Sequence, residues 1–176
     1  MGTVLATALS VGILGAVCTW FFLTAGTILV WAAFVAWACF FHSGGDAAAL
    51  KSTMISNLFG SVVGWVGALM ILTIPLSDVL TPNVWAGVVV LITVVFYIMS
   101  SQIPALVSVP GTTYGYACTF AFLLQTQGKL DLGVMTSVSL DNAVIVVPIS
   151  MWLGALFGFA SAKFAAFLTK PEAATA

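Results

Sequence analysis

The chain has 176 residues, of which 62% are hydrophobic and 5% charged, with mean hydropathy +1.21 and a formal net charge of −1. Soluble domains carry roughly 25% charged residues, so this polar inventory is too small to coat a water-exposed globule. The composition excludes a soluble protein and predicts an all-α, polytopic membrane protein with the lipid bilayer as its surround. All four cations are lysine, with no arginine. Arginine's planar fork is the usual reader of phosphate, carboxylate and nucleic acid, so no nucleic-acid partner is expected.

A bilayer core about 30 Å thick needs about 20 apolar residues per helix. Residues 4–24 fit a first span, with Gly12 and Gly15 as small residues for close helix approach. No basic start or small-residue cleavage site precedes it, so it is expected to be retained. Residues 28–41 form a shorter, aromatic second segment that ends at His42-Ser43-Gly44-Gly45-Asp46. Residues 47–74 form a long third helix in which Thr53, Ser56, Asn57, Gly60, Ser61 and Gly64 recur every three or four positions. That spacing puts them on one helix face. Two prolines and Asp78 break the chain over 75–82, and 84–100 is an aliphatic and aromatic fourth span. The fifth segment covers 105–124, and 125–141 reads as a polar loop or short interfacial stretch with Lys129, Asp131 and Asp141. Asp141 is expected at the N-terminus of the sixth span, 143–168. Residues 1–168 are read as a single membrane domain and 169–176 as a short cytoplasmic tail. Six spans put both termini on one side with Lys51, Lys163 and Lys170, opposite Lys129 and Asp78. The positive-inside rule then assigns both termini to the cytoplasm.

The fifth segment carries the sequence's main anomaly, Val107-Ser108-Val109-Pro110-Gly111-Thr112-Thr113-Tyr114-Gly115-Tyr116. Proline removes a backbone donor and starts or breaks a helix. Such breaks at membrane depth are tolerated where protein or a water-filled cavity satisfies the backbone. Pro110, Gly111, Thr112 and Thr113 are therefore expected to open a half-helix whose first amides and hydroxyls face a solute, with Tyr116 one turn on. The competing structural reading is a proline kink against a neighbouring helix. Asn57 is expected beside this turn, lining the same path or serving as interhelical glue. Phe40 and Phe120 are candidates for an apolar constriction, or for plain packing.

Cys18, Cys39 and Cys118 lie singly in apolar runs and are expected to pack as small hydrophobes. His42 is the single histidine and no cysteine cluster accompanies it, so neither a metal nor a cofactor is predicted. No ionisable residue sits in the middle of a span, which disfavours driven transport. It also removes the usual acids, bases and nucleophiles, so no enzyme is predicted.

The halves echo each other, as inverted three-helix repeats over 4–75 and 83–168 with interrupted second and fifth segments. Trp37-Ala38-Cys39-Phe40 parallels Tyr116-Ala117-Cys118-Thr119, Met54-Ile55-Ser56 parallels Met135-Thr136-Ser137, and Trp65-Val66-Gly67-Ala68-Leu69 parallels Trp152-Leu153-Gly154-Ala155-Leu156. Inverted repeats with interrupted segments in matching positions point to a midplane transport site.

Trp31-Ala32-Ala33-Phe34, Gly44-Gly45, the stretch from Asn57 to Trp65, Ser108-Val109-Pro110-Gly111-Thr112 and Thr119-Phe120-Ala121 resemble a small bacterial inner-membrane family, the YcdZ-like proteins, over most of the chain. The resemblance implies a six-span protein of the bacterial inner membrane and supplies no substrate. Pro110-x-x-Thr113 is also similar to the core of the urea-transporter half-repeat signature, from which Val109 and Gly115 depart. That second likeness implies urea and short amides as candidate solutes. The expected function is a channel or facilitator for a small uncharged polar solute, acting as a homo-oligomer. The alternative is an accessory subunit of a membrane complex with no pore of its own.

Overall fold

The computed structural model describes residues 1–169, so the reading of 169–176 as a tail lies almost wholly outside the described residues. The described chain is helical throughout: α1 (Thr3–Ala25), α2 (Val30–His42), α3 (Ala47–Thr73), α4 (Pro82–Met99), α5 (Val109–Gln125), α6 (Leu132–Met135) and α7 (Ala143–Leu168). Short 3-10 turns at Pro75–Asp78, Ser100–Gln102 and Pro104–Leu106 join them. Four helices are long and apolar enough to cross a bilayer: α1, α3, Pro82–Gln102 and α7. These point to a membrane protein, with α2 and α5 as its shorter members.

The helix starts follow from local capping chemistry, in which a side-chain oxygen takes one of the free amides of the first turn. Asp46 accepts from the Ala49 amide at 2.7 Å, Thr81 from Val84 at 3.4 Å and Ser108 from Gly111 at 3.2 Å. The α7 cap is Asn142, and Asp141, expected at this helix N-terminus, is the residue just before it. Asp141 instead pairs with Lys129 across the α5–α7 connection.

That connection is built rather than loose, and it holds a helical turn that the polar composition of 125–141 did not announce. Met135, the last residue of α6, is fully buried. Its carbonyl accepts from Trp65 Nε1 at 3.0 Å and from Asn142 Nδ2 at 2.7 Å. Asn142 Nδ2 also donates to the Ser137 carbonyl at 2.8 Å. Asn142→Ala removes the α7 cap and these two bonds together, and is expected to cost about 1–3 kcal/mol. Faster amide exchange confined to 126–142 and the first turn of α7 is the measurement that checks it.

Residue pairings fix the helix directions. Gly60 meets Thr112 and Gly64 meets Thr119, so α3 and α5 run parallel. Gly154 meets Ala33 and Gly158 meets Trp37 and Phe40, so α7 and α2 also run parallel. The Ser10 hydroxyl donates to the Ser161 carbonyl at 2.6 Å and the Met1 ammonium to Leu168, so α1 runs against α7. Gly67 meets Thr93 while Phe59 meets Phe96, so α4 runs against α3. Trp152 Nε1 reaches the Met54 carbonyl at 2.9 Å, while Trp65 reaches Met135 just ahead of α7. Thus α3 and α7 are antiparallel, and the six principal helices alternate in direction along the chain.

The buried faces carry small and polar groups, and the outer faces carry large apolar ones. On α3 the buried set includes Thr53, Asn57, Gly60, Gly64 and Gly67, while Val62, Val66 and Leu72 are exposed. In lipid, burying apolar surface brings helices together only weakly, so close packing and interhelical contacts set the interface.

Both short helices begin inside the bundle. Ser56 lies against Gly111 in the first turn of α5. Being nine residues along α3, it is about 13 Å from that helix's start. The Leu29 amide, at the start of α2, donates to Ser150 Oγ at 2.9 Å. Ser150 is seven residues along α7, about 11 Å from its start. Two helix N-termini therefore lie at an inner level of the bundle.

Candidate functional site

The site is built where α5 begins against α3. Ser56 and the Asn57 backbone press on Gly111 and Gly115; a Cβ on Gly115 would lie 2.0 Å from the Asn57 carbonyl oxygen. Glycine is required there because the two backbones touch. The approach sets Asn57 against Gly115, Ser56 against Gly111 and Gly60 against Thr112.

One turn of α3 is chemically unusual. Thr53, Ser56 and Asn57 are fully buried. Ser56 Oγ, Asn57 Nδ2 and Asn57 Oδ1 make no hydrogen bond among the described residues, and Thr53 Oγ1 has only the weakly bonding Cys39 thiol beside it. The fifth such atom, Trp85 Nε1, is on α4. Serine and threonine in a helix have a ready partner in the carbonyl one turn back. Elsewhere this chain uses it: Thr93 donates to Val89, Thr113 to Val109, Thr119 to Gly115 and Ser150 to Val146, at 2.7 to 3.0 Å. Thr53 and Ser56 do not. Each buried polar group left without a partner costs about 1–3 kcal/mol. Three unpaired atoms and a weakly held hydroxyl on a single helical turn therefore make this the most under-satisfied polar stretch of α3 among the described residues.

The remaining candidates are distributed as follows. Pro110 is exposed, and it occupies the first turn of α5 rather than interrupting a longer helix. The first amides of α5 are already used: Val109 donates to Val107, Gly111 to Ser108 Oγ and Thr112 to the Ser108 carbonyl. The expectation that these amides face a solute therefore has to give way to side chains as the available donors and acceptors. Thr113 turns toward α4, where its hydroxyl meets Tyr97 at 3.2 Å. Tyr116 bonds Thr93 at 2.9 Å and packs at a tilt of 50° against Tyr97 and Phe120, at ring-centroid distances of 5.5 and 4.9 Å. Phe120 and Tyr116 thus belong to an aromatic cluster between α3, α4 and α5. Phe40 packs elsewhere, against Gly158 and Phe159 of α7. The structure does not gather Phe40 and Phe120 into one constriction.

The family model for a protein of unknown function, DUF1097, matches residues 8–166. The chain belongs to this family. No curated protein and no solved structure matches it.

In this DUF1097 chain the three cysteines are free and buried, as packing predicts. Among the described residues no group of three or more His, Cys, Asp or Glu is placed to hold a metal. His42 sits at the end of α2 with its ring edge-on to Tyr114, 6.4 Å between centroids. The sequence reading placed Thr53 and Ser56 in one polar stripe with Asn57 and singled out Asn57 as the candidate site residue. Thr53 lies three residues from Ser56 and four from Asn57, the spacing that puts them on one face.

Proposed function

We propose that this chain is a membrane channel or facilitator for a small uncharged polar solute such as urea or a short amide. The observation that carries the reading is the unpaired turn Thr53-Ser56-Asn57. Asn57 offers one acceptor and two donors, and the two hydroxyls offer either role. A solute that both donates and accepts supplies what the protein leaves unmet. A charged solute would find no opposite charge on that turn, and the desolvation of an ion demands one.

Other features support a six-span transporter built of two inverted repeats. α1 and α4 begin at Thr3 and Pro82, and α2 and α5 at Val30 and Val109, both 79 residues apart. Gly60 and Gly154, then Gly64 and Gly158, are both 94 apart and meet corresponding positions on α5 and α2. The register shift coincides with the α5–α7 connection. On this pairing Asn57 corresponds to Met151, and the echoes Met54 with Met135 and Trp65 with Trp152 drop out. Helix N-termini starting at an inner level are the usual construction of a midplane site. Lys51 and Lys163 share an end of the bundle with the N-terminus, and Lys129 lies at the other with Asp78, Asp131 and Asp141. That supports cytoplasmic termini in a bacterial inner membrane. We assign a homo-oligomer because six short helices barely enclose a path alone.

Swelling of proteoliposomes in urea, acetamide and glycerol tests the function. Faster entry of at least one solute than into protein-free vesicles is expected. Equal rates for every solute would reject a channel, and stoichiometric co-purification with a larger complex would then favour the accessory-subunit role.

A further inference from the structure

Away from the α3 turn, a polar concavity lies at the end of the bundle opposite the termini. It has a volume of about 300 Å³ and is lined by Thr27, Leu29, Phe122, Thr126, Lys129 and Asp141, among others. Its floor is the turn between α1 and α2, where the Leu29 amide rests on Ser150 Oγ inside the bundle. Its rim is the Lys129–Asp141 ion pair, with side-chain exposures of 21% and 66%. The other cavities described are walled mainly by aliphatic and aromatic side chains, such as the groove of Phe59, Val63, Met70, Ile92 and Phe96 between α3 and α4. This one joins surface charge to the start of a half-helix.

We infer that this cavity is an outer binding vestibule for a neutral amide, with Lys129 and Asp141 as the residues that read it. The inference rests on the channel reading above and names its entry site and solute class. A primary amide carries a carbonyl acceptor and N–H donors on one planar edge. The carbonyl oxygen accepts from Lys129 Nζ, and an N–H donates to the Asp141 carboxylate. Each contact is charge-assisted, and so stronger than a hydroxyl pair. Lys129 Nζ lies over the ring of the buried Phe122, 5.9 Å from its centroid, a cation–π contact that holds the ammonium at the cavity's edge. The volume sits at the small end of ligand pockets, which suits a solute of few atoms. The ion pair is no obstacle to entry, since exposed pairs hold weakly and their charges exchange readily for a polar ligand. The pair is also anchored: the Asp141 amide donates to Ser139 Oγ at 3.2 Å, and Asn142 beside it holds Met135 and Ser137.

The test is the ratio of amide to glycerol permeability in phosphatidylcholine proteoliposomes. It compares wild type, the neutralised double variant Lys129→Met/Asp141→Asn and the swapped variant Lys129→Asp/Asp141→Lys. Neutralisation is expected to lower the urea-to-glycerol and acetamide-to-glycerol ratios by about tenfold, the effect of losing one pair of charge-assisted bonds. The swap is expected to restore most of the ratio, and it decides the matter if the neutralised chain fails to fold. Ratios unchanged by neutralisation overturn the vestibule while leaving the channel standing. Ratios that track added phosphatidylethanolamine instead of the variants assign the ion pair to a lipid headgroup, and also overturn it. Absence of any solute flux in wild type removes the channel and the vestibule together.

Discussion

Gly154→Ala is expected to cost about 3 kcal/mol or more and to lower the unfolding temperature by roughly 10 °C, the scaling for a chain of this size. A Cβ at Gly154 would lie 2.0 Å from the Ala33 oxygen and 2.4 Å from its Cα. The obstacle is backbone on a parallel helix, so no rotamer change relieves it, and α2 and α7 must part. Parting them thins dispersion contacts along the whole interface, each worth only about 0.1–0.2 kcal/mol but numerous. Gly60→Ala meets the same barrier on α3, 1.9 Å from the Thr112 oxygen. The comparison variants are Gly12→Ala and Gly87→Ala, where nothing lies within 4 Å. There the added methyl is expected to be neutral or to stabilise by up to about 1 kcal/mol through helix propensity. Thermal unfolding of the four purified variants in one detergent checks the contrast.

Asn57→Leu is expected to stabilise the protein while removing solute flux. Asn57 is fully buried, with neither amide atom bonded. A leucine keeps the side chain's branching, with bulkier ends, and removes two unmet polar groups. That removal is worth about 1–3 kcal/mol, more than the strain of the larger methyls is expected to take back. If Asn57 were interhelical glue, the same change would break a bond and destabilise. The sign of the stability change therefore separates the two readings of this residue. Flux is expected to fall toward the protein-free rate, because the apolar side chain leaves a solute's N–H and carbonyl groups unsatisfied at the inner level of the bundle. Thr113→Val should have a smaller effect, since that hydroxyl is already engaged by Tyr97 and the Val109 carbonyl.

Much of this architecture was readable from residue order. The spans ended within a few residues of their expected limits because their caps are local: Asp46, Thr81 and Ser108 each act on an amide three residues away. The polar face of α3 was readable from spacing, and the start of α5 from Pro110. Which apolar side chains turn inward was not. Phe40 is fully buried while its neighbour Phe41 and nearby Phe34 are about 40% exposed. In a bilayer both faces of a helix are apolar, so periodicity does not separate core from lipid. The close approaches at Gly60, Gly115 and Gly154 depend on the relative register of helices distant in the chain, as does the Lys129–Asp141 pair. That Asn142 rather than its neighbour Asp141 caps α7 belongs to the same limit, because the Asn142 side chain also holds the Met135 and Ser137 carbonyls.

The most direct measurement of the central claim is stopped-flow urea entry and thermal unfolding, taken on the same reconstituted samples of wild type and Asn57→Leu. The account predicts wild-type entry well above that of empty vesicles, with the variant near the empty rate and unfolding at a higher temperature. Undiminished entry in the variant, or a lowered unfolding temperature, would contradict it.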